Sequence, residues 1–339
     1  MRGSALATLC AALLIAAPCA AQTRDKSTGP TPSREIGVGV GHGIGFLPLF
    51  IAQDLGLLDK HARANGLNGK VRVRRFSAAT PMRQALASGE IVAGAYGLTA
   101  FLLARDAARR TPKELQAVSG ITTLPLVLVT ARPDIRSLSD LKRSDKIAVP
   151  MLTAPQVTYL RMGASASSGG ADRLGGQLVA MPHQESLDAL TAADGVAAYF
   201  SSPPFTQIAL KEPKVRAVTS STEIMGGKTS FLVMASPKAA LAAHPKLSDV
   251  LSKAIDEASG VIRKDPRRAA MVWLRWEPSN TLDARTVEAV LRELGDDFSS
   301  SVFGIERAAA YLRRDNRLSE PITNWKDVVA PAIAAGEGS

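Results

Sequence analysis

Short apolar runs and amphipathic stretches alternate along this chain, stop, and then alternate again. In the first pass, residues 36–40 read as a buried strand and 47–55 as a helix with Pro48 in its first turn, where a missing N–H costs nothing. Gly56 ends that helix with a glycine stop, and Leu57 and Leu58 supply the accompanying apolar contact. Strands at 71–76 and 91–95 and helices at 81–88 and 100–108 follow. The second pass begins after residue 131. It holds a one-turn helix capped by Ser137, strands at 147–150, 177–180 and 196–200, and helix starts at 153–156, 184 and 201–205. Such an order predicts an α/β chain with largely parallel sheets and helices on both faces. Two apolar strands, 124–131 and 231–235, each end at a proline and are expected to cross between two lobes. The expected division is residues 35–126 for the first part of lobe 1, 127–231 for lobe 2, and 232–339 for the return to lobe 1. The return is helical almost to its end, with Trp325 docking the tail.

The start of the chain belongs to neither pass. Arg2, an apolar stretch from Ala5 to Ala17, and small residues up to Ala21 read as a secretory signal peptide over 1–21, cut near Ala21. That stretch is too short to span a bilayer comfortably. A lipoprotein would acylate Cys19, and Pro18 just before it fits that poorly. Residues 22–34, rich in Ser, Thr, Pro and charge, are expected to be a flexible leader. Both cysteines of the chain, Cys10 and Cys19, fall in the signal, so the mature chain has no disulfide, thiolate or cysteine–metal chemistry. Its stability must come from a core, which 339 residues can supply. The net charge of +10 raises nucleic acid as a partner, but the basic residues are scattered doublets with few aromatics between them, and the expectation is no nucleic-acid binding.

Four segments should present helix N-termini or strand ends to a cleft: 41–47, 97–100, 153–156 and 200–205. The first is Gly41-His42-Gly43-Ile44-Gly45-Phe46-Leu47. Three glycines between a strand and a helix leave N–H groups that suit an anion, or they serve only to make a tight turn. No register of these glycines makes a dinucleotide fingerprint. None of the four segments carries Lys, Arg, Asp or Glu. A cation would want a carboxylate, and a polyanion would want arginine. What is on offer is backbone N–H and the side chains of Thr99, Thr153, Gln156, Tyr199, Ser201 and Ser202, which suit a small oxyanion, a polar organic acid or a neutral polar molecule. The candidate ligand-binding set is His42, Gly43, Phe46, Leu98, Thr99, Thr123, Thr153, Gln156, Tyr199, Ser201 and Ser202. Each has a plainer alternative. His42 can be a solvated turn residue, Thr153 and Ser201 can be helix caps, Tyr199 can fill the core, and Thr123 can simply end a sheet.

Several local patterns resemble a known family. Gly56-Leu57-Leu58-Asp59-Lys60, Ala85-Leu86-Ala87-Ser88-Gly89-Glu90-Ile91, and Leu138-Ser139-Asp140-Leu141-Lys142 with Ile147-Ala148-Val149-Pro150 resemble the substrate-binding proteins of nitrate/sulfonate/taurine-type ABC importers. Residues 199–205 and Asn324-Trp325-Lys326-Asp327 are similar to one branch of it, and the resemblance runs from about 36 to 331. It implies a type II periplasmic-binding-protein fold of two lobes, a small molecule held between them, and delivery to an inner-membrane permease driven by an ATPase. The signal peptide points to the periplasm, and the expectation is a monomer with no cofactor and no catalytic activity. The ligand is not carried over. Another reading is an enzyme on the same fold, of the pyrimidine-synthase kind, or a ligand-free interaction module. Against the enzyme, the four histidines show no metal-ligand spacing, and there is no G-x-S-x-G elbow and no Walker loop.

Overall fold

The computed structural model describes residues 35–166, 170, 173–192, 195–279 and 281–339. The expected signal peptide and leader lie outside the described residues. The first run of elements is β1 (Glu35–Val40), a 3-10 turn (Ile44–Phe46), α1 (Leu47–Asp54), α2 (Leu57–Ala64), β2 (Lys70–Arg75), α3 (Ala79–Ser88), β3 (Ala93–Gly97), α4 (Leu98–Ala107) and β4 (Leu115–Thr122). The second is β5 (Val127–Thr130), β6 (Ile147–Val149), α5 (Pro155–Ala166), β7 (Leu178–Ala180), α6 (His183–Thr191), β8 (Ala198–Ser201), α7 (Phe205–Ala209), β9 (Arg216–Ser220) and α8 (Ser221–Met225). The chain ends with β10 (Leu232–Pro237), α9 (Lys238–Ala243), α10 (Leu247–Lys264), α11 (Pro266–Trp276), α12 (Ala284–Leu294), α13 (Ile305–Arg314) and α14 (Pro331–Ala334).

Two five-stranded sheets result, in the orders β2-β1-β3-β10-β4 and β7-β6-β8-β5-β9. β1 runs parallel to β2 and β3, and β6 runs parallel to β7 and β8. Each sheet also holds one strand antiparallel to both its neighbours, β10 in the first and β5 in the second. These are the strands on which the chain enters a sheet from the other lobe, so they run against the local parallel direction. The fold is therefore α/β and two-lobed, as expected. The links themselves, however, are the segments 123–126 and 226–231, and the apolar runs expected to cross are instead sheet strands. Their apolarity comes from burial on both faces: Leu128, Val129, Val233 and Met234 are all inaccessible to solvent.

For α2, β4 and β9, which the sequence does not announce, the reason is local. α2 begins directly after Gly56, which adopts the left-handed conformation at φ 68°; the glycine stops α1, and a second helix starts at once. β4 is broken by Gln116, Ser119 and Gly120 and lacks an apolar alternation. Gly120 is needed there because the backbone of Ser301 lies against the place of a Cβ, while its N–H donates to the Ser300 carbonyl at 2.6 Å. The 299–301 segment thus covers this edge strand. β9 has no fully buried residue and no apolar run. The one-turn helix after Ser137 is present with its reciprocal capping box, Ser137 to Asp140.

The core of the first lobe is β1 with α1, α10, α11 and α12. α1 is apolar all round and buried from Leu47 to Ala52. α10 buries Leu247, Val250, Leu251, Ala254, Ile255, Ala258 and Ile262, a helical stripe facing the sheet. A second cluster joins Leu98 and Phe101 of α4 to Tyr159 and Leu160 of α5 and to Phe200 of β8, so it runs continuously from one lobe into the other. Trp325 is buried in the same cluster beside Ile333 and holds the chain end as expected.

Candidate functional site

In both sheets the carboxyl ends of parallel strands lie side by side. β1 and β3 deliver residues 41–46 and 97–99 to one edge of the first sheet, and β6 and β8 deliver 150–156 and 201–205 to one edge of the second. Open α/β sheets bind ligands at such edges. The two edges touch. A Cβ built on Gly97, the residue before α4, would stand 3.0 Å from Pro155 Cγ at the start of α5 and 3.8 Å from the Phe231 carbonyl oxygen. One built on Gly45 would meet Leu232 at 2.8 Å and the Phe231 ring at 3.3 Å. The β1 turn, the α4 start and the α5 start therefore gather around Phe231, in the second link between the lobes. Sequence reasoning placed Phe231 in a strand and gave it no role.

At this junction two polar side chains are buried without a protein partner. Thr99 in the first turn of α4 is 5% exposed, Gln156 in the first turn of α5 is 2% exposed, and neither side chain makes a hydrogen bond among the described residues. Neither Thr99 Oγ1 nor the Gln156 amide is among the fully enclosed polar atoms that lack a partner, so both groups keep a small opening to solvent. Neither helix has an acid in its first turn, and α4 also has no side-chain cap. Leu98 is buried beneath them, whereas Thr153 is exposed on the loop before α5.

The β1 turn differs from the expectation of bare N–H groups. Gly43, at φ 109°, donates its N–H to Glu277 Oε1 at 3.2 Å, and Glu277 reaches it from the end of α11, 234 residues away. Arg75 Nη2 lies 3.6 Å from Glu277 Oε1 and donates to His42 Nδ1 at 2.7 Å. A guanidinium can only donate, so Nδ1 is the acceptor and its 3.3 Å approach to Glu277 Oε2 carries no proton. His42 is thus held in a surface ion cluster with half its side chain exposed. Phe46 turns inward and is buried against Gly41.

In the second lobe the strand-end hydroxyls divide. Ser201 is fully buried. Its Oγ donates to the Val127 carbonyl at 2.7 Å and pairs with Thr206 Oγ1 at 2.8 Å, so it ties β8 to β5 and is closed to a ligand. Tyr199 is likewise a core residue with no accessible surface. Its hydroxyl meets His183 Nδ1, and His183 Nε2 lies 2.9 Å from Ser202 Oγ. Burial pushes the His183 pKa down to about 4 and the Tyr199 pKa well above its usual range, so both are neutral at pH 7. One proton order satisfies every group. Tyr199 O–H donates to Nδ1, Nε2–H donates to Ser202 Oγ, and the Ser202 proton is left to point elsewhere. In the reverse order the buried Tyr199 O–H has nothing to donate to. His183, stacked on Phe205 with ring centroids 5.2 Å apart, was not in the expected set. The adjacent Pro182 and the helix start at 183 gave no signal of a histidine facing β8.

Thr123 is also engaged within the protein. Its Oγ1 donates to Asp297 Oδ1 at 3.1 Å, and its N–H donates to the Asp297 carbonyl at 2.7 Å. Burial holds the Asp297 carboxyl above its usual range, opposed by the Thr123 hydrogen bond and Lys228. Among the described residues no group of three or more His, Cys, Asp or Glu side chains is placed to hold a metal ion, and no helix is long and apolar enough to cross a membrane.

No family model and no curated protein matches the chain. Solved structures do. The periplasmic aliphatic sulphonate binding protein SsuA from Escherichia coli superposes with a TM-score of 0.67 at 16% identity, over 89% of this chain and 99% of that one. The alkanesulfonate-binding protein SsuA from Xanthomonas axonopodis pv. citri, bound to MOPS, gives 0.65 at 17% identity over 92% and 100%. DSZB in complex with biphenyl-2-sulfinic acid gives 0.56 at 15% identity over 89% and 98%. Over this length the chain has the two-lobed periplasmic-binding-protein fold, with two sheets joined by two links.

Proposed function

We propose that this protein is the extracytoplasmic solute-binding component of an ABC importer. It captures a small oxyanion or polar organic acid, of the sulfonate kind, at the meeting strand ends of its two lobes and delivers it to a membrane permease with its ATPase. The observation that carries this reading is the pair of buried, unpartnered side chains, Thr99 and Gln156, at the facing N-termini of α4 and α5. Two helix starts, a hydroxyl and an amide suit the oxygens of an anion whose charge is met by dipoles. The Ser202 O–H, oriented by His183 and Tyr199, is a third donor at the same sheet edge. Residues 1–21 direct export, and the mature protein is a periplasmic monomer beginning near Gln22.

The Ser202–His183 hydrogen bond favours a second reading, a serine-type hydrolase. The proton order opposes it. Nε2 carries the proton and faces Ser202 as a donor, and the residue behind the imidazole is a neutral tyrosine in place of a carboxylate.

Titration calorimetry of the mature protein with alkanesulfonates, carboxylates and the matching alkylamines tests the reading, with the mass of the periplasmic product defining the chain used. The expected outcome is a sulfonate or carboxylate bound in the micromolar range or tighter, about 8 kcal/mol. Glu277→Gln keeps the acceptor for Gly43 but removes a negative charge from the turn, so the anion should bind several-fold more tightly. Preference for the amines, or weaker anion binding in Glu277→Gln, would overturn the proposal.

A further inference from the structure

A cavity of about 510 Å³ opens at a seam away from these strand ends, between α5, α8 and α13. A second hollow continues it, sharing Met162, Ile224, Tyr311 and Arg314. The volume is in the range of small-molecule sites. Met162 lies seven residues beyond Pro155 on α5, which puts it about 10 Å further along the helix axis. Its walls come from both sides of the links. Met162 and Ile224 precede 226–231, whereas Ala310 and Ile322 follow it.

The chemistry of the lining is mixed in a particular way. Met162, Ile224, Met225 and Ile322 make an apolar surface, and Arg307, Arg313 and Arg314 border it. None of the three arginines has a carboxylate within ion-pairing distance among the described residues. Arg307 Nη1 donates to the Met225 carbonyl at 2.7 Å and Arg313 Nη1 to the Leu318 carbonyl at 3.2 Å, contacts that leave their charge uncancelled. Arg314 makes no hydrogen bond or ion pair among the described residues. The one acid in the adjoining hollow, Asp315, lies 3.6 Å from Arg161 Nη2 and is neutralised there. The Tyr311 hydroxyl is buried in this wall without a hydrogen-bond partner.

We propose that this seam is a second ligand site, for an amphipathic monoanion. A carboxylate or sulfonate head sits at the arginines, and a short alkyl or aryl body lies against the two methionines and Ile224. Three uncancelled guanidiniums beside an apolar pocket match that chemistry and reject a cation. The occupant touches α5 and α13 together, so it binds only the arrangement in which they face each other and shifts the molecule toward it. The inference does not depend on what the strand ends hold.

The methionines make it testable. The mature chain, labelled at its methionine methyl carbons, is titrated with octanoate and with octylamine and followed by NMR. Octanoate is expected to shift Met162 and Met225 saturably, while octylamine does not. Arg314→Glu, an exposed position, should weaken octanoate about tenfold. Ala310→Trp, also exposed, should fill the pocket and abolish the shifts, and both variants should keep the wild-type melting temperature. Shifts confined to Met151 at the strand ends, equal shifts with octylamine, or unaltered affinity in both variants would overturn the proposal.

Discussion

Burial keeps the His183 imidazole neutral far below its ordinary range, and this has a consequence for stability. Its pKa falls from 6.5 to about 4 in the folded chain, while the unfolded chain takes up the proton near 6.5. Between these values the unfolded state binds more protons, so this group's contribution rises with pH and is lost as the pH falls through the window. The gap corresponds to roughly 3 kcal/mol at most. Urea unfolding of the wild type and His183→Gln should therefore diverge as the pH falls from 6.5 to 4, with the wild type losing more. Parallel curves would show that the imidazole is not held neutral by the fold. The same neutrality fixes the direction of the Tyr199–His183–Ser202 chain and makes Ser202, in place of Ser201, the hydroxyl available at this edge. Sequence reasoning offered both serines equally. Their separation comes from strand alternation: Ser201 points to β5 and the core, and its neighbour points away.

The elements that matter most are α4 and α5, whose first turns meet. Gly97 has an ordinary backbone, φ −63°, so alanine fits the chain locally. The cost falls across the junction, where the added methyl would stand 3.0 Å from Pro155 Cγ. Gly97→Ala should therefore penalise the arrangement in which the two helix starts touch and leave each lobe intact. The expected result is a five- to tenfold loss of affinity for the sulfonate, about 1 kcal/mol, with the urea midpoint of the free protein unchanged. Equal affinity in wild type and variant would mean that the two helices do not need to meet when the ligand binds. Locally, a glycine before a helix start is unexceptional. Its tightness arises from a proline 58 residues away and could not be seen locally.

At the scale of the molecule, two links joining two sheets allow the lobes to swing. A ligand shifts that balance only by its different affinity for the open and closed arrangements, about 1.4 kcal/mol for each tenfold change. Small-angle scattering of the mature protein should show a smaller radius of gyration with saturating alkanesulfonate than without. An identical radius would rule out trapping by closure. In the present arrangement one core already runs from α4 through α5 to β8.

Periodicity along the chain was enough to fix the class. The twofold β-α alternation, the two apolar sheet strands that follow the links, the glycine stop at Gly56 and the serine cap at Ser137 are local signals, and local physics sets them. The same holds for the absence of ionised side chains in the four strand-end segments. Other features arise from residues far apart in the chain. Glu277 reaching Gly43, His183 joining Tyr199 to Ser202, Phe231 gathering three segments, and an arginine-bordered hollow between α5 and α13 depend on which surfaces fold against each other. A hydrogen bond or an ion pair needs a few ångströms and a direction, and neither is written in spacing along the sequence. The tertiary structure therefore decided which polar groups are satisfied within the protein and which are not.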